Sequence, residues 1–91
     1  MPMPKRNSSA FANRVRAVVR GIPKGETLPY MVVAERAGYP GAARAVGTVM
    51  KRNYDPSVPC HRVVRSDGRI GAYNRGGEEA KRELLRAEGA F

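Results

Sequence analysis

The chain has one cysteine and one histidine, and they are neighbours, Cys60 and His61. A thiol becomes a strong nucleophile only as the thiolate, and an adjacent imidazole helps to remove its proton. Arg62 adds positive charge beside the pair. These residues alone do not name a reaction. An inert buried cysteine is an equal alternative, and a cysteine hydrolase uses the same thiol and base.

The composition excludes several other kinds of site. One cysteine cannot form an internal disulfide or a multi-cysteine zinc site, and with a single histidine we predict no metal site. A lone free thiol is typical of a reducing compartment, so we expect a cytoplasmic protein, nucleoid-associated if prokaryotic. No apolar run approaches the roughly 18 residues of a membrane span, so we expect no membrane partner and no secretion.

The charge is strongly and unevenly positive. A net charge of +9 arises from 17 basic and 8 acidic residues. Residues 1–77 hold 14 Lys/Arg against 4 Asp/Glu, whereas residues 78–91 hold 3 against 4. Such a basic chain has the electrostatic footprint of a nucleic-acid-binding protein, with an incidentally basic soluble protein as the alternative.

Hydrophobic spacing predicts a compact helical unit. Residues 1–8 read as a flexible basic arm, and residues 9–91 as one domain. A first helix is predicted over Ser9–Arg20, because Phe11, Val15 and Val18 recur at helical spacing. The arm carries prolines and two basic residues, so it is either a terminus without a specific role or a segment that follows the DNA backbone.

Two further short helices form a predicted helix-turn-helix. They cover Tyr30–Ala37 and Gly41–Arg52, and Gly38 ends the first of them. Pro40 is placed at the start of the second, where proline is best tolerated. This third helix is rich in small residues and also basic, which favours close approach to a nucleic-acid groove.

The last third of the chain predicts a small wing and a final helix. Val63–Arg65 and Arg69–Gly71 flank the turn Ser66-Asp67-Gly68, which is a hairpin signal. A C-terminal helix is predicted over Glu78–Ala90. Its expected buried stripe consists of Ala80, Leu84 and Leu85. The predicted fold is therefore mainly α, a winged helix-turn-helix with a β-hairpin wing and a C-terminal helix.

Four motifs carry a resemblance to a known family. They read G-E-T-x-x-Y at 25–30, A-A-R-A-V-G at 42–47, P-C-H-R-V-V at 59–64 and S-D-G-x-I-G-x-Y at 66–73. Together they resemble the O6-methylguanine-DNA methyltransferase family over about residues 11–89. The resemblance implies a DNA repair protein that binds double-stranded DNA through the minor groove and flips out O6-alkylguanine. It also implies irreversible, single-turnover alkyl transfer by a monomer that needs no cofactor.

The resemblance implies specific catalytic roles. Cys60 matches the alkyl-accepting cysteine, His61 the base that reaches it through a water, and Glu88 the carboxylate that orients the histidine. Asn53 matches a brace between the recognition helix and the active-site loop. Tyr30 matches a tyrosine that assists flipping and donates a proton to the leaving guanine. The alternatives are a packing role for Tyr30 and a surface ion pair with Arg86 for Glu88.

The same resemblance implies two sets of binding residues. Arg44 matches the arginine that fills the gap left by the flipped base, with an ordinary phosphate contact as its alternative. The other implied or charge-based DNA contacts are Ala42, Ala43, Gly47, Lys51, Arg52 and Ser66. The implied lining of the base pocket is Met50, Val63, Ile70, Gly71, Tyr73 and Asn74. Met50 and Val63 also suit the core.

The chain departs from the family pattern in several places. The segment from Asn53 to Cys60 is one residue shorter than usual, and Asn74–Glu78 is one residue longer. The N-terminal domain of most members is expected to be absent. Small alkyltransferase-like proteins, which carry Trp in place of the cysteine and bind lesions without repairing them, are therefore the main alternative. A plain winged-helix DNA binder is the third hypothesis.

Overall fold

The computed structural model describes residues 9–67 and 69–91. The helices are α1 (Ser9–Arg20), α2 (Tyr30–Arg36), α3 (Ala43–Lys51) and α4 (Gly77–Ala87), with a 3₁₀ turn at Cys60–Arg62. Two short strands, β1 (Leu28–Pro29) and β2 (Val63–Val64), complete the fold. The mainly helical class is confirmed. The predicted arm at residues 1–8 lies outside the described part of the chain.

The core forms where α1, α2 and α3 pack together. Its fully buried side chains come from α1, as Phe11, Val15 and Val19, and from the neighbouring helices, as Val33 and Val46. The bounds of α1 agree with the predicted helix, because its apolar face follows one helical period. The rings of Phe11 and Tyr39 meet edge-on with centroids 4.8 Å apart, and this contact joins α1 to the turn after α2.

The turn between α2 and α3 shows why the second helix ends where it does. Gly38 has φ 93°, and its N–H donates to the Glu35 carbonyl at 3.0 Å. The N–H of Tyr39 donates to the Ala34 carbonyl at 2.9 Å, which completes a Schellman cap. Gly41, at φ 85°, keeps the chain out of helix, so α3 begins after it. The prediction that Pro40 opens α3 is wrong for this reason.

The strand pairing differs from the predicted hairpin. β2 pairs in parallel with β1, with Leu28 opposite Val63 and Pro29 opposite Val64. Across the predicted turn, the Arg65 N–H donates to the Arg69 carbonyl at 3.0 Å. Arg69–Gly71 does not form a strand. The strand that pairs with Val63–Val64 is instead Leu28–Pro29, which is distant in sequence, and this pairing buries Val63 in the core.

The C-terminal helix packs through a different face from the one predicted. Leu85 is fully buried, whereas Leu84 is 40% exposed, so the expected stripe is wrong at Leu84. Lys81 takes the buried position one turn before Leu85 and is 0% exposed. Within the described residues, no helix is long and apolar enough to cross a membrane.

Candidate active site

Cys60 stands at the start of the 3₁₀ turn, at the edge of the core. Its N–H donates to the Val58 carbonyl at 2.8 Å, and the residue is 4% exposed. The thiol is free. The side chain of Cys60 is thus sheltered from bulk water, and its surroundings are set by the neighbouring side chains.

The loop before Cys60 is tied to the end of α3. Asn53 is 2% exposed, and its Nδ2 lies 3.4 Å from the Asp55 carbonyl and 3.5 Å from the Val58 carbonyl. Its own N–H donates to the Met50 carbonyl at 3.1 Å. Asn53 therefore sits at the junction between α3 and the loop that delivers the thiol.

His61 and Arg62 meet one carboxylate. The Nε2 of His61 lies 3.0 Å from Glu88 Oε2. The Nε and Nη2 of Arg62 donate to Glu88 Oε1 and Oε2 at 3.0 and 2.7 Å. Arg62 Nη1 donates to the Ile22 carbonyl at 2.9 Å, so the guanidinium is held on both sides. This two-pronged contact is the strongest geometry available to an arginine and a carboxylate.

Glu88 is placed by the end of α4. It is the C-cap residue, and Gly89 follows at φ 81°. The Gly89 N–H donates to the Arg86 carbonyl at 3.0 Å and the Ala90 N–H to the Leu85 carbonyl at 2.9 Å, a second Schellman cap. Gly89 thus ends the helix and leaves the Glu88 carboxylate facing His61 and Arg62. Helix α4 consequently ends before the predicted Ala90.

The electrostatics keep Glu88 ionised. Hydrogen bonds from Arg62, opposed by burial and helped by His61, lower the pKa of Glu88 from 4.5 to about 2. The same contact raises the pKa of Arg62. An anionic Glu88 accepts a proton-bearing Nε2, and this assigns the Nδ1 of His61 as the nitrogen free to accept a proton.

A cleft of about 330 Å³ opens at Cys60. Its walls are largely apolar and come from α2, α3 and the segment before α4. The lining residues are Tyr30, Gly47, Met50, Lys51, Cys60, Ala72, Tyr73 and Asn74. A cleft of this size and character suits a planar ring with a few polar edges.

Tyr30 lines this cleft, and Lys81 contacts Tyr30 from the buried face of α4. Lys81 Nζ donates to Tyr30 Oη at 3.4 Å and to the Ala72 carbonyl at 3.3 Å, and it lies 5.5 Å from the Tyr30 ring centroid. Burial lowers the pKa of Lys81 from 10.5 to about 8, while a negative charge at Cys60 opposes that shift. Burial raises the pKa of Tyr30, and a negative charge at Cys60 raises it further.

The far wall of the cleft is formed by Tyr73 and Asn74. The rings of Tyr73 and His61 meet edge-on with centroids 6.3 Å apart, and burial raises the pKa of Tyr73. Asn74 Nδ2 donates to the Lys51 carbonyl at 2.7 Å and to the Asn53 carbonyl at 2.8 Å. Asn74 therefore caps the end of α3 while it lines the cleft.

Three of the predicted contact residues are placed elsewhere. Ala42 is 2% exposed and Val63 0% exposed, so both side chains belong to the core. Burial leaves these two side chains little surface to offer, and the implied groove contact of Ala42 and pocket contact of Val63 stay predictions. Ile70 is also buried and is not among the residues that line the cleft. These positions are apolar because they fill the core behind the site.

Gly71 lies next to the side chains of Tyr30 and Lys81. A Cβ at Gly71 would stand 3.6 Å from Lys81 Nζ and from Tyr30 Oη, and 3.3 Å from the Arg65 side chain. Its φ of 86° also disfavours any other residue. The positive φ, rather than a lack of space beside Tyr30, is therefore what favours glycine at this position.

The predicted DNA contacts are mostly on the surface. Arg44, Lys51, Arg52 and Ser66 are exposed, and Ala43 and Gly47 are half-buried. An added Cβ at Gly47 would meet no atom within 4 Å, so this face of α3 is open beside the cleft. Lys51 borders the cleft, whereas Arg44 does not.

Residues 10–90 match the family described as 6-O-methylguanine DNA methyltransferase, DNA binding domain. The chain belongs to this family. A methylated-DNA–protein-cysteine methyltransferase from Mus musculus is 56% identical over 66 residues, covering 71% of this chain. The chain spans 31% of that relative's length.

Solved structures show the same fold. The crystal structure of Mycobacterium tuberculosis OGT in complex with DNA matches with TM-score 0.84 and 41% identity, covering 92% of this chain and 52% of that one. The structure of S. pombe Atl1 in complex with damaged DNA containing O6-carboxymethylguanine matches with TM-score 0.80 and 33% identity. It covers 98% of this chain and 80% of that one.

Sequence reasoning missed Lys81 and half of the role of Arg62. Arg62 was expected only to add charge near the thiol, whereas it grips Glu88 and the Ile22 carbonyl. A signal for Lys81 existed: Lys81, Leu85 and Glu88 recur at helical spacing, so a lysine stands on the buried face of α4. A lysine on an apolar stripe is a candidate for a perturbed functional group. Among the described residues, no three potential metal ligands cluster.

Proposed function

We propose that the chain transfers an alkyl group from O6 of guanine in duplex DNA to the sulfur of Cys60. The observation that carries this proposal is that Cys60 and Tyr30 line one cleft, with the His61–Glu88 pair adjacent. Family membership selects alkyl transfer from the thiol reactions that the residues alone leave open. The activity is that of a methylated-DNA–protein-cysteine S-methyltransferase.

The chemistry assigned to these residues is a displacement. The thiol proton of Cys60 passes through a water to His61, whose imidazole Glu88 and Arg62 hold in place. The sulfur attacks the alkyl carbon, so an S–C bond forms as the C–O6 bond breaks. The leaving guanine takes a proton from the Tyr30 hydroxyl. The Lys81 ammonium, 3.4 Å from that oxygen, stabilises the phenolate that remains.

The proposal includes extrusion of the base. O6 of guanine is paired inside the duplex, so the nucleotide must leave the stack, at a cost of about a few kcal/mol. We assign Arg44 to the gap that is left, and Ala43 and Gly47 to the close approach of α3 to the minor groove. Ser66, exposed on the wing turn, is assigned a phosphate contact. The thioether formed is stable, so each monomer acts once.

The test is the intact mass of the protein after incubation with a duplex that contains one O6-methylguanine. We expect the mass to rise by one methylene, with the modification mapped to Cys60 and never exceeding one per molecule. The Cys60→Ser variant and an unmethylated duplex are the controls, and neither should give the gain. A methyl group found on any other residue, or repeated turnover, contradicts the proposal.

A second function is favoured by one specific similarity. The S. pombe Atl1 structure, in complex with damaged DNA, covers 98% of this chain and 80% of its own length. The alternative is therefore a lesion-binding module that recruits excision repair without transferring the alkyl group. Selective binding of the O6-methylguanine duplex with no mass gain would support it, whereas equal binding of damaged and undamaged duplex would favour a plain winged-helix DNA binder.

A further inference from the structure

A second cavity lies next to the cleft and shares one wall residue with it. It has a volume of about 340 Å³, and Tyr73 borders both spaces. Its lining includes Arg20, Arg62 and Arg75, together with His61. Among the described residues that line it there is no carboxylate. Asp55 and Glu88 pair with Arg20 and Arg62 from outside this lining, so the attraction of the cavity for anions depends on how far each arginine is neutralised.

The three arginines differ in how far they are already neutralised. Arg62 is fully engaged by Glu88 and the Ile22 carbonyl. Arg20 faces Asp55 at 3.4 Å, but both side chains are 47% exposed, and a solvent-exposed pair of this kind holds its partners weakly. Arg20 is therefore free to take a stronger partner.

Within the described part of the chain, one nitrogen of the Arg75 guanidinium lacks a hydrogen-bond acceptor. Its Nη2 is buried and has no hydrogen-bond partner among the residues that the structure describes. A buried guanidinium nitrogen without an acceptor is costly, and such a group in a folded protein indicates a missing water or ion. Arg75 lines the second cavity and its side chain also hydrogen-bonds Tyr73, so a rotation that turns Nη2 toward the cavity would let an acceptor bound there meet this requirement.

We propose that this cavity binds a phosphate-class oxyanion, held by Arg75 and Arg20 beside His61. Arginine presents paired donors that match the geometry of a phosphate, and the cavity is several times larger than that group requires. The phosphate is either a free anion or a phosphodiester of a bound nucleic acid. The two arginines of the site take no part in the proposed alkyl transfer, although His61 and Tyr73 also border the cavity.

The test is a titration of the full 91-residue chain with sodium phosphate, followed by NMR of the arginine Nε–Hε and His61 ring signals. Sodium chloride is adjusted to hold ionic strength constant. We expect saturable shifts of Arg20, Arg75 and His61. Arg75→Gln should weaken phosphate binding about tenfold, as expected for a lost charged hydrogen bond. Arg36→Gln, an equal charge change at an exposed position of α2, should leave it unchanged.

Arg20→Gln is the second variant, because Arg20 is exposed and its replacement does not disturb the core. It should also weaken phosphate binding, so the test survives if Arg75→Gln fails to fold. Shifts that rise linearly without saturation overturn the proposal. So does a titration that is the same in Arg20→Gln, Arg75→Gln and Arg36→Gln.

A binding assay with an undamaged duplex separates the two sources of phosphate. If a phosphodiester fills the site, Arg75→Gln lowers DNA affinity more than Arg36→Gln does. If the site takes a free anion, the two variants lower DNA affinity equally while only Arg75→Gln loses phosphate binding. Both results support the site, and each names its occupant.

Discussion

Glu88 is the residue on which the polar part of the site converges. It accepts from Arg62 twice and from His61 once, and its side chain is only 12% exposed. Arg62 is 16% exposed, so it depends on this carboxylate for its charge to be tolerated. The pair orients the imidazole and also fastens α4 to the 3₁₀ turn. The proposed chemistry and the stability of the fold therefore depend on the same carboxylate.

We expect Glu88→Gln to destabilise the fold by about 2–3 kcal/mol, because Arg62 keeps a buried charge without its partner. The wild-type contribution depends on pH with a definite sign. Since the pKa of Glu88 falls from 4.5 to about 2 on folding, the stabilisation is present above pH 4.5 and is lost as pH falls toward 2. Urea denaturation across this range measures both effects. The difference between wild type and Glu88→Gln should shrink as the solution is acidified.

Lys81 carries the second prediction at this scale. Its pKa of about 8 means that it loses its proton just above neutrality, and its charge is felt at Cys60. Lys81→Met keeps the buried volume but removes that charge. We expect methyl transfer to be slower in the variant, with the wild-type advantage shrinking as pH rises through about 8.

The measurement is the single-turnover rate of methyl transfer at a series of pH values. Thermal melting of both proteins is the control, because replacing a buried charge with an apolar side chain is often neutral for stability. A rate ratio that stays constant on both sides of pH 8 would remove Lys81 from the chemistry.

At the scale of the element, α3 connects the core to the cleft and carries residues that are proposed to contact DNA. Its buried side, with Val46 and Met50, packs on the core, while Gly47 and Lys51 border the cleft. Asn74 donates to the carbonyl of Lys51, so the end of the helix is held by the wall of the site. A shift of α3 on a groove would therefore be transmitted to the cleft.

Gly47 separates stability from binding in this helix. Its Cβ position is empty to 4 Å, so Gly47→Ala should stabilise the fold by about 0.5–1 kcal/mol through helix propensity alone. If α3 lies against DNA, the added methyl group should lower affinity for the O6-methylguanine duplex. Urea denaturation and fluorescence anisotropy provide the two readouts. A variant that gains stability and keeps full affinity would place the DNA contact elsewhere.

At the scale of the whole molecule, the charge is divided. Residues 1–77 hold 14 basic and 4 acidic side chains, whereas residues 78–91, which include α4, hold 3 and 4. The helix that supplies Glu88 is thus the acidic part of a chain with net charge +9. This division favours approach of DNA to the surface formed by residues 1–77 rather than to α4.

We expect DNA affinity to fall steeply with salt, because each contacted phosphate contributes about −0.9 to the slope of log K against log salt. Lys51→Gln and Arg52→Gln should each reduce the magnitude of the slope by about 1. Arg86→Gln, at the end of α4, should not change it. Anisotropy titrations from low to high salt give the slopes. A flat response in the wild type would rule out phosphate contacts as the basis of binding.

The sequence by itself determined the features that depend on neighbouring residues. The period of Phe11, Val15 and Val18 predicted α1 within its observed bounds, because helix formation needs only local hydrogen bonds and one apolar face, although Val19 rather than Val18 is the fully buried residue. The adjacency of Cys60 and His61, and the motifs around them, indicated the family and the mainly helical class. The start of α3 was misplaced because the φ of Gly41 overrides the preference of proline for a first helical turn.

Only the tertiary structure decided which distant segments meet. Val63 pairs with Leu28 rather than with its sequence neighbours, because burial across the core outweighs a local turn signal. The orientation of α4 about its own axis buries Lys81 and Leu85 and exposes Leu84. The sequence of the helix alone did not show which of its faces would be buried. Arg62 reaches Glu88 across 26 residues for the same reason. Local preferences act over a few residues, whereas the partners of a side chain are selected by how the whole chain packs.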